Sequence, residues 1–312
     1  MPIAVIAFDF DPLLRLAEDL VVRWQTVALA AVIATALILA GVIARRDGLR
    51  GDDLLFIAVG TVPGAVVGGR IGYVLLHLPY YQANPGAIID PGLGAMELAL
   101  GVAGGLLTGS LVASLLGAPM GRWRHLAILP VLFVLGVGKL TMILGGAGQG
   151  TPSTVAWATA FLGPGPWGSL APALPSEPSQ AYEALTTILI LIGLIVALQL
   201  GAFGRRDGRI LFVGLALWAF ARAFVATSWR DDAVVGGLNM GSLIAIAVGL
   251  GCLGVLLVTT IRGRAGSSGG SEPPASTTVS APGTVPPPAS STAPASPVEP
   301  ATWPDPSSRP RF

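Results

Sequence analysis

Seven long apolar runs occupy most of this chain, and the loops between them are alternately rich and poor in arginine. The runs cover roughly 25–44, 54–78, 93–117, 125–146, 182–203, 210–229 and 238–261. About 20 apolar residues in a helix are needed to cross about 30 Å of hydrocarbon. Inside lipid a backbone must satisfy its own hydrogen bonds, which leaves helices as the option for runs of this length. The pattern predicts an all-α integral membrane protein with seven transmembrane helices. Composition agrees: 53% of the 312 residues are hydrophobic and 11% charged, against about 25% charged in soluble domains.

The loop charges predict an orientation. Arg45, Arg46 and Arg50 follow the first run, Arg122 and Arg124 precede the fourth, and Arg205, Arg206 and Arg209 separate the fifth and sixth. Arg262 and Arg264 follow the seventh. The alternate loops 79–92 and 147–181 hold no Lys or Arg, and 230–237 holds only Arg230. The positive-inside rule then puts the N-terminus outside and the C-terminus in the cytoplasm of a multi-pass cell-membrane protein.

Outside the runs, residues 1–24 read as an exposed or interfacial lead-in, with Asp9, Asp11, Arg15, Glu18, Asp19 and Arg23. They lack the basic n-region of a cleavable signal. The apolar patch 156–162 is too short to span and reads as a loop or re-entrant piece. The membrane domain is expected over 25–262, and 263–312 as a Pro/Ser/Gly-rich, disordered cytoplasmic tail. The single cysteine, Cys252, lies in an apolar run and reads as packing. A net charge of +1 gives no reason to expect a nucleic-acid partner.

One run carries a charge. Lys139 sits inside LAILPVLFVLGVGKLTMILGG (126–146). A lysine at mid-membrane costs about 2.5–3.5 kcal/mol on insertion scales, so it either snorkels to an interface or faces a partner, water or an anion. On the predicted orientation Arg70, Lys139 and Arg222 all fall in outer halves of their helices. Glu97, Glu177 and Glu183 lie on the same side. Two readings stay open. The cations pair with Glu97 and Glu183 and hold the bundle together, or they line an outward-facing cavity that receives an anion. A phospholipid headgroup is the anion available at that depth, and arginine's planar fork suits a phosphate better than a lysine point charge. The inner halves carry no polar path, which speaks against a channel.

Several short runs then resemble one family. Gly68-Gly69-Arg70-Ile71-Gly72-Tyr73-Val74-Leu75 is similar to the second-helix motif of prolipoprotein diacylglyceryl transferases. Glu177-Pro178-Ser179-Gln180-Ala181-Tyr182-Glu183 resembles that family's HPSQLYE segment before the fifth span. Arg222 with Trp229-Arg230-Asp231 resembles its sixth-helix arginine and FFR-type ending, and Asn239-Met240-Gly241-Ser242 the SMGQ start of its last helix. The likeness covers roughly residues 15–262.

The resemblance implies transfer of a diacylglyceryl group from phosphatidylglycerol to the lipobox cysteine thiol of a prolipoprotein signal peptide, without a cofactor or metal. It implies that Lys139 and Arg222 bind the lipid phosphate. Arg70, Tyr73, Gln180 and Tyr182 would complete the phosphatidylglycerol site, and Glu177 or Glu183 would assist the thiol. The family signature, G-R-x-x-N-F-x-N-x-E-x-x-G in outline, is matched here by Gly138 to Gly150 with changes. Lys139 replaces the arginine, Met142 and Gly145 the asparagines, and Ala147 the acid. Ala99 or Ala103 stands where the family has a third-helix histidine, Glu177 replaces the histidine of HPSQ, and Gln25 and Trp218 stand at usual tyrosine positions. The alternative implied by these changes is a catalytically impaired relative that binds membrane lipid or a signal peptide.

Overall fold

A computed structural model describes residues 5–17, 19–90 and 96–268. Its helices are α1 (Trp24–Arg46), α2 (Gly51–Leu76), α3 (Leu78–Ala83), α4 (Leu98–Leu115), α5 (Met120–Thr141), α6 (Ser179–Gln199), α7 (Arg209–Val225) and α8 (Met240–Ser268). All except the short α3 are long and apolar enough to cross a membrane, so the seven apolar runs are seven helices of an integral membrane protein. The expected tail lies outside the described residues from position 269 onward.

The bundle has two unlike ends. At one end the connections are short. Helix α1 stops where Gly48 turns left-handed (φ 64°) and the Leu49 amide bonds back to Ala44 O. Helix α4 stops the same way at Gly117, with Ala118 N bonding to Ala113 O. Both are six-to-one closures that satisfy carbonyls left over at a helix C-terminus. At the other end the connections are long, and they gather over the starts of α1, α4, α6 and α8 and the ends of α2, α5 and α7.

Helix α7 is the centre of the bundle: 61% of its most apolar stretch is buried, against 11% for α2. Ile210, Leu211, Leu215 and Trp218 pack with Ile128 and Leu132 of α5 and Leu194 of α6. Between helices in lipid the drive is close packing rather than exclusion of water. The α2–α4 contact shows this most plainly. A Cβ on Gly64 would lie 2.1 Å from Gly104 O, and one on Gly104 would lie 2.1 Å from Gly64 O. The two backbones touch, and any side chain at either position would force them apart.

The segments between helices are more ordered than the sequence suggests. Strand β1 (Ile6–Phe8) pairs in parallel with β4 (Thr159–Phe161), and β2 (Leu13–Arg15) forms a hairpin with β3 (Val21–Arg23). Strands β5 (Ala233–Val235) and β6 (Leu238–Asn239) make a second hairpin before α8. Of the apolar patch 156–162, expected as a loop or re-entrant piece, only Thr159–Phe161 form a short buried strand within the long loop, while Trp157 and Leu162 are exposed. Phe161 is 1% exposed and stacks on Phe8 with ring centroids 5.1 Å apart. The lead-in is thus tied to the long loop at the same end of the bundle.

Candidate functional site: a charge chain beside a polar cavity

Four charges meet at the long-loop end, and three of them, Lys139, Arg222 and Glu97, are placed there by a helix terminus. Lys139 is in the last turn of α5 and Arg222 in the last turn of α7. The negative end of a helix dipole favours a cation in that turn. Glu97 is the N-cap of α4, and its carboxylate accepts from Ala99 N at 2.8 Å and Leu100 N at 2.7 Å. Those amides have no partner within the helix, so a capping acid satisfies them. This cap also explains why α4 begins at Leu98, five residues later than the apolar run. Glu183 lies near the start of α6.

The four side chains form one line across four helices. Lys139 Nζ is 2.9 Å from Glu183 Oε2. Arg222 Nη1 donates to Glu183 Oε1, and Arg222 Nη2 lies 3.0 Å from Glu97 Oε1. The side chains of Glu97, Glu183 and Arg222 are 1–4% exposed and that of Lys139 15%. Two cations and two anions cancel. Buried ions are tolerable only when paired in this way, because removing one partner leaves its neighbour charged in a medium that cannot solvate it. Lys139 therefore does not snorkel; it ends on Glu183. Trp229 covers the guanidinium of Arg222, 4.7 Å from ring centroid to Cζ.

Beside Lys139 and Glu183 lies a cavity of about 280 Å³, also bounded by Gln149, Gln180, Trp229 and Arg230. Gln180 is 2% exposed, and among the described residues neither atom of its amide has a hydrogen-bond partner. Gln149 donates through Nε2 to Thr159 O at 3.0 Å, but its buried Oε1 has no partner among the described residues. Leaving a buried polar group unbonded costs about 1–3 kcal/mol. Arg230 is fixed by Nε to Gly150 O at 2.7 Å and by Nη2 to Ser176 Oγ at 2.8 Å. The cavity is thus lined by the ammonium of Lys139, the guanidinium of Arg230, two acidic residues, Glu183 and Asp231, and two primary amides with unused bonding capacity, a set suited to a polar ligand.

The residues singled out in the sequence divide into two groups. Lys139, Gln180 and Glu183 line this cavity, and Arg222 stands behind Glu183. The others lie elsewhere. Arg70 turns to backbone carbonyls, donating to Ile88 O and Ala87 O at 2.7 Å each and to Asp90 O at 3.2 Å. Tyr73 packs on His77 and Tyr81 near Arg70. Tyr182 accepts a hydrogen bond from Trp157 Nε1. Glu177 is held by its backbone, with N bonded to Thr151 O and O accepting from Gly150 N and Ser179 N. Gln149 and Arg230 were not among the expected site residues. Both lie in runs that carry the resemblance, the first at the end of the signature stretch and the second in the FFR-type ending.

The motif before α8 has a structural duty. Asn239 donates to Ala226 O at 2.6 Å and accepts from Ser242 N at 2.8 Å, and Ser242 Oγ donates to Ala223 O at 3.0 Å. This ties the start of α8 to the end of α7 that carries Arg222. One departure in the signature also has a physical basis. A Cβ on Gly145 would lie 1.9 Å from Gln25 Oε1. The side chain of Gln25 occupies the space that an asparagine at 145 would need, so the two unusual residues are coupled.

Fold and site together define a multi-pass membrane protein with a charge-lined cavity where its long loops gather. The chain matches the model of the prolipoprotein diacylglyceryl transferase family over residues 12–258, and it belongs to that family of transferases. It is 31% identical over 276 residues to the phosphatidylglycerol–prolipoprotein diacylglyceryl transferase of Gluconobacter oxydans (strain 621H), covering 81% of this chain and 94% of the relative. It is 29% identical over 292 residues to the enzyme of the same name from Nitrobacter winogradskyi, covering 86% and 96%. At 22% identity over 225 residues, the Clostridioides difficile (strain 630) protein of that name is similar over 72% and 86%.

Proposed function

We propose that this chain moves a diacylglyceryl group from phosphatidylglycerol to the lipobox thiol of a prolipoprotein, with the lipid headgroup seated in the cavity beside Lys139. The observation that carries this reading is the juxtaposition of Lys139 with the unbonded amide of Gln180 on one cavity wall. A phosphatidylglycerol headgroup offers the matching groups: a charged phosphodiester for the ammonium and hydroxyls for amides that both donate and accept.

The charge chain suggests how the site works. It is neutral as it stands, so an incoming phosphodiester brings an uncompensated negative charge. Lys139 turns from Glu183 to the phosphate, and Glu183 keeps Arg222 as its anchor, with one carboxylate oxygen released. The carbon–oxygen bond between diacylglycerol and phosphate breaks as the thiol sulfur bonds to that carbon. Glycerol phosphate leaves against Lys139, which offsets the charge that grows on the departing oxygen. The thiol proton passes to the freed oxygen of Glu183, which acts as the general base. Holding lipid and thiol in one cavity supplies the proximity. Arg70 serves by fixing the 87–90 turn, Tyr73 by packing beside Arg70, and Tyr182 by fixing Trp157. The alternating arginines support an orientation with this end facing outward from the cell membrane.

The test is complementation. Cells depleted of their own transferase are given this chain, and lipoproteins are examined by mass spectrometry. The reading expects diacylglyceryl-modified lipoprotein with the wild-type chain and its loss with Lys139→Ala. A correctly inserted chain that binds phosphatidylglycerol but yields no modified lipoprotein supports the lipid-binding alternative instead.

A further inference from the structure

A second cavity lies at the opposite end of the bundle, far along the helices from Lys139. It measures about 400 Å³, within the range of about 300–1,000 Å³ typical of small-molecule sites. Leu129, Leu198 and Phe203 give it an apolar wall, and His125, Asp47 and Arg206 a polar rim. Asp47 is spoken for: its carboxylate pairs with Arg206 at 2.9 Å and its carbonyl accepts from Arg122. His125 is not, since its buried Nδ1 has no partner among the described residues.

The charges around this cavity run against what helix physics alone favours. Helix α5 begins at Met120 without a side-chain cap and carries Arg122, Arg124 and His125 in its first two turns. Cations are disfavoured at the positive end of a helix dipole, where anions belong. The segments at this end, 45–53, 122–124 and 205–209, hold eight arginines and four aspartates. The topology signal accounts for an excess of arginine. It does not account for the cavity, the unbonded ring nitrogen or the cations placed on a helix N-terminus. The segment walling the cavity is also strained, with Phe203 (φ 59°) and Arg206 (φ 48°) both left-handed although neither is glycine, a cost of about 1–3 kcal/mol each.

We propose that this cavity is a second lipid site, distinct from the transfer site. It takes one acyl chain of an anionic phospholipid from the leaflet at this end, with the phosphate set between the start of α5 and Arg206. The apolar wall suits the chain, and the excess of arginine over aspartate around the cavity, with Arg206 on the rim beside its partner Asp47, suits the phosphate. Such a lipid would bond His125 and neutralise the start of α5, holding α1, α5 and α6 together where their connections are shortest.

The experiment uses the full chain in nanodiscs and diazirine-acyl probes, with labelled peptides mapped by mass spectrometry. Phosphatidic acid, phosphatidylcholine and a free fatty acid carry the same photoreactive chain. The proposal expects phosphatidic acid to label peptides spanning 120–129 and 198–206 at least five-fold more than phosphatidylcholine does. Leu129→Trp, which fills the cavity, abolishes that labelling. Arg206→Gln, which leaves the cavity open, brings the two phospholipids to within two-fold and keeps the proposal testable if the tryptophan variant fails to fold. Equal labelling by both phospholipids, labelling by the fatty acid alone, or labelling that persists in a folded Leu129→Trp variant overturns it.

Discussion

The two ends of this bundle handle charge in opposite ways. At the long-loop end, Lys139, Glu183, Arg222 and Glu97 are buried, paired and balanced, and all but Glu183 are set by a helix terminus that favours their sign. At the short-loop end the arginines are mostly exposed, unbalanced and, at the start of α5, placed against the dipole. A buried charge must be paired to exist at all, whereas an exposed one interacts weakly with its surroundings and can be spared. The pairing at the first end is therefore a structural requirement that a ligand can exploit by exchanging one partner.

If that contrast is right, the largest stability effect comes from breaking the buried chain. Arg222→Ala leaves Glu97 and Glu183 without their shared partner and is expected to cost about 3–5 kcal/mol, read as a lowered unfolding midpoint in detergent. Next in size is the packing fault at Gly145. Gly145→Asn puts a Cβ where Gln25 Oε1 now sits and should cost about 1–3 kcal/mol. Adding Gln25→Ala should recover most of that loss, and a double variant whose losses merely add would break the proposed coupling.

A smaller change with the opposite sign is expected at Gln180. Gln180→Leu removes two unbonded buried groups, so the folded protein should be unharmed or more stable by about 1 kcal/mol, while transfer activity falls. A variant less stable than wild type would show that the amide bonds within the protein after all. The smallest effect belongs to the other end, where Arg205→Ala, at an exposed position, should change stability by less than about 0.5 kcal/mol.

The same contrast explains what could be read from the sequence. Seven helices were legible because membrane hydrocarbon demands long apolar runs, and no tertiary contact can overrule that demand. Helix limits were less so: α4 starts at Leu98 because Glu97 caps it, and α6 starts at Ser179, three residues before its run becomes apolar. The shared level of Lys139, Glu97, Glu183 and Arg222 followed from counting residues along spans of alternating direction. The two readings of those charges, pairing or cavity, were not exclusive, and the structure contains both. The same counting put Arg70 in the outer half of α2, and α2 does end at the long-loop end. Depth along a helix does not say which way a side chain turns, and Arg70 turns to the carbonyls at 87–90. The pairing of β1 with β4 joins three-residue strands about 150 residues apart, and segments so short carry no periodic signal.

The most direct test of the central claim is single-turnover transfer in proteoliposomes, from labelled phosphatidylglycerol to a lipobox peptide. The proposed site predicts that the wild-type chain labels the peptide cysteine. It predicts a rate about 10²–10³-fold lower for Lys139→Ala, the scale expected when a group stabilising developing charge is removed, with Gln180→Leu also slowed. Transfer by Lys139→Ala at the wild-type rate would contradict the assignment of this cavity as the phosphate site.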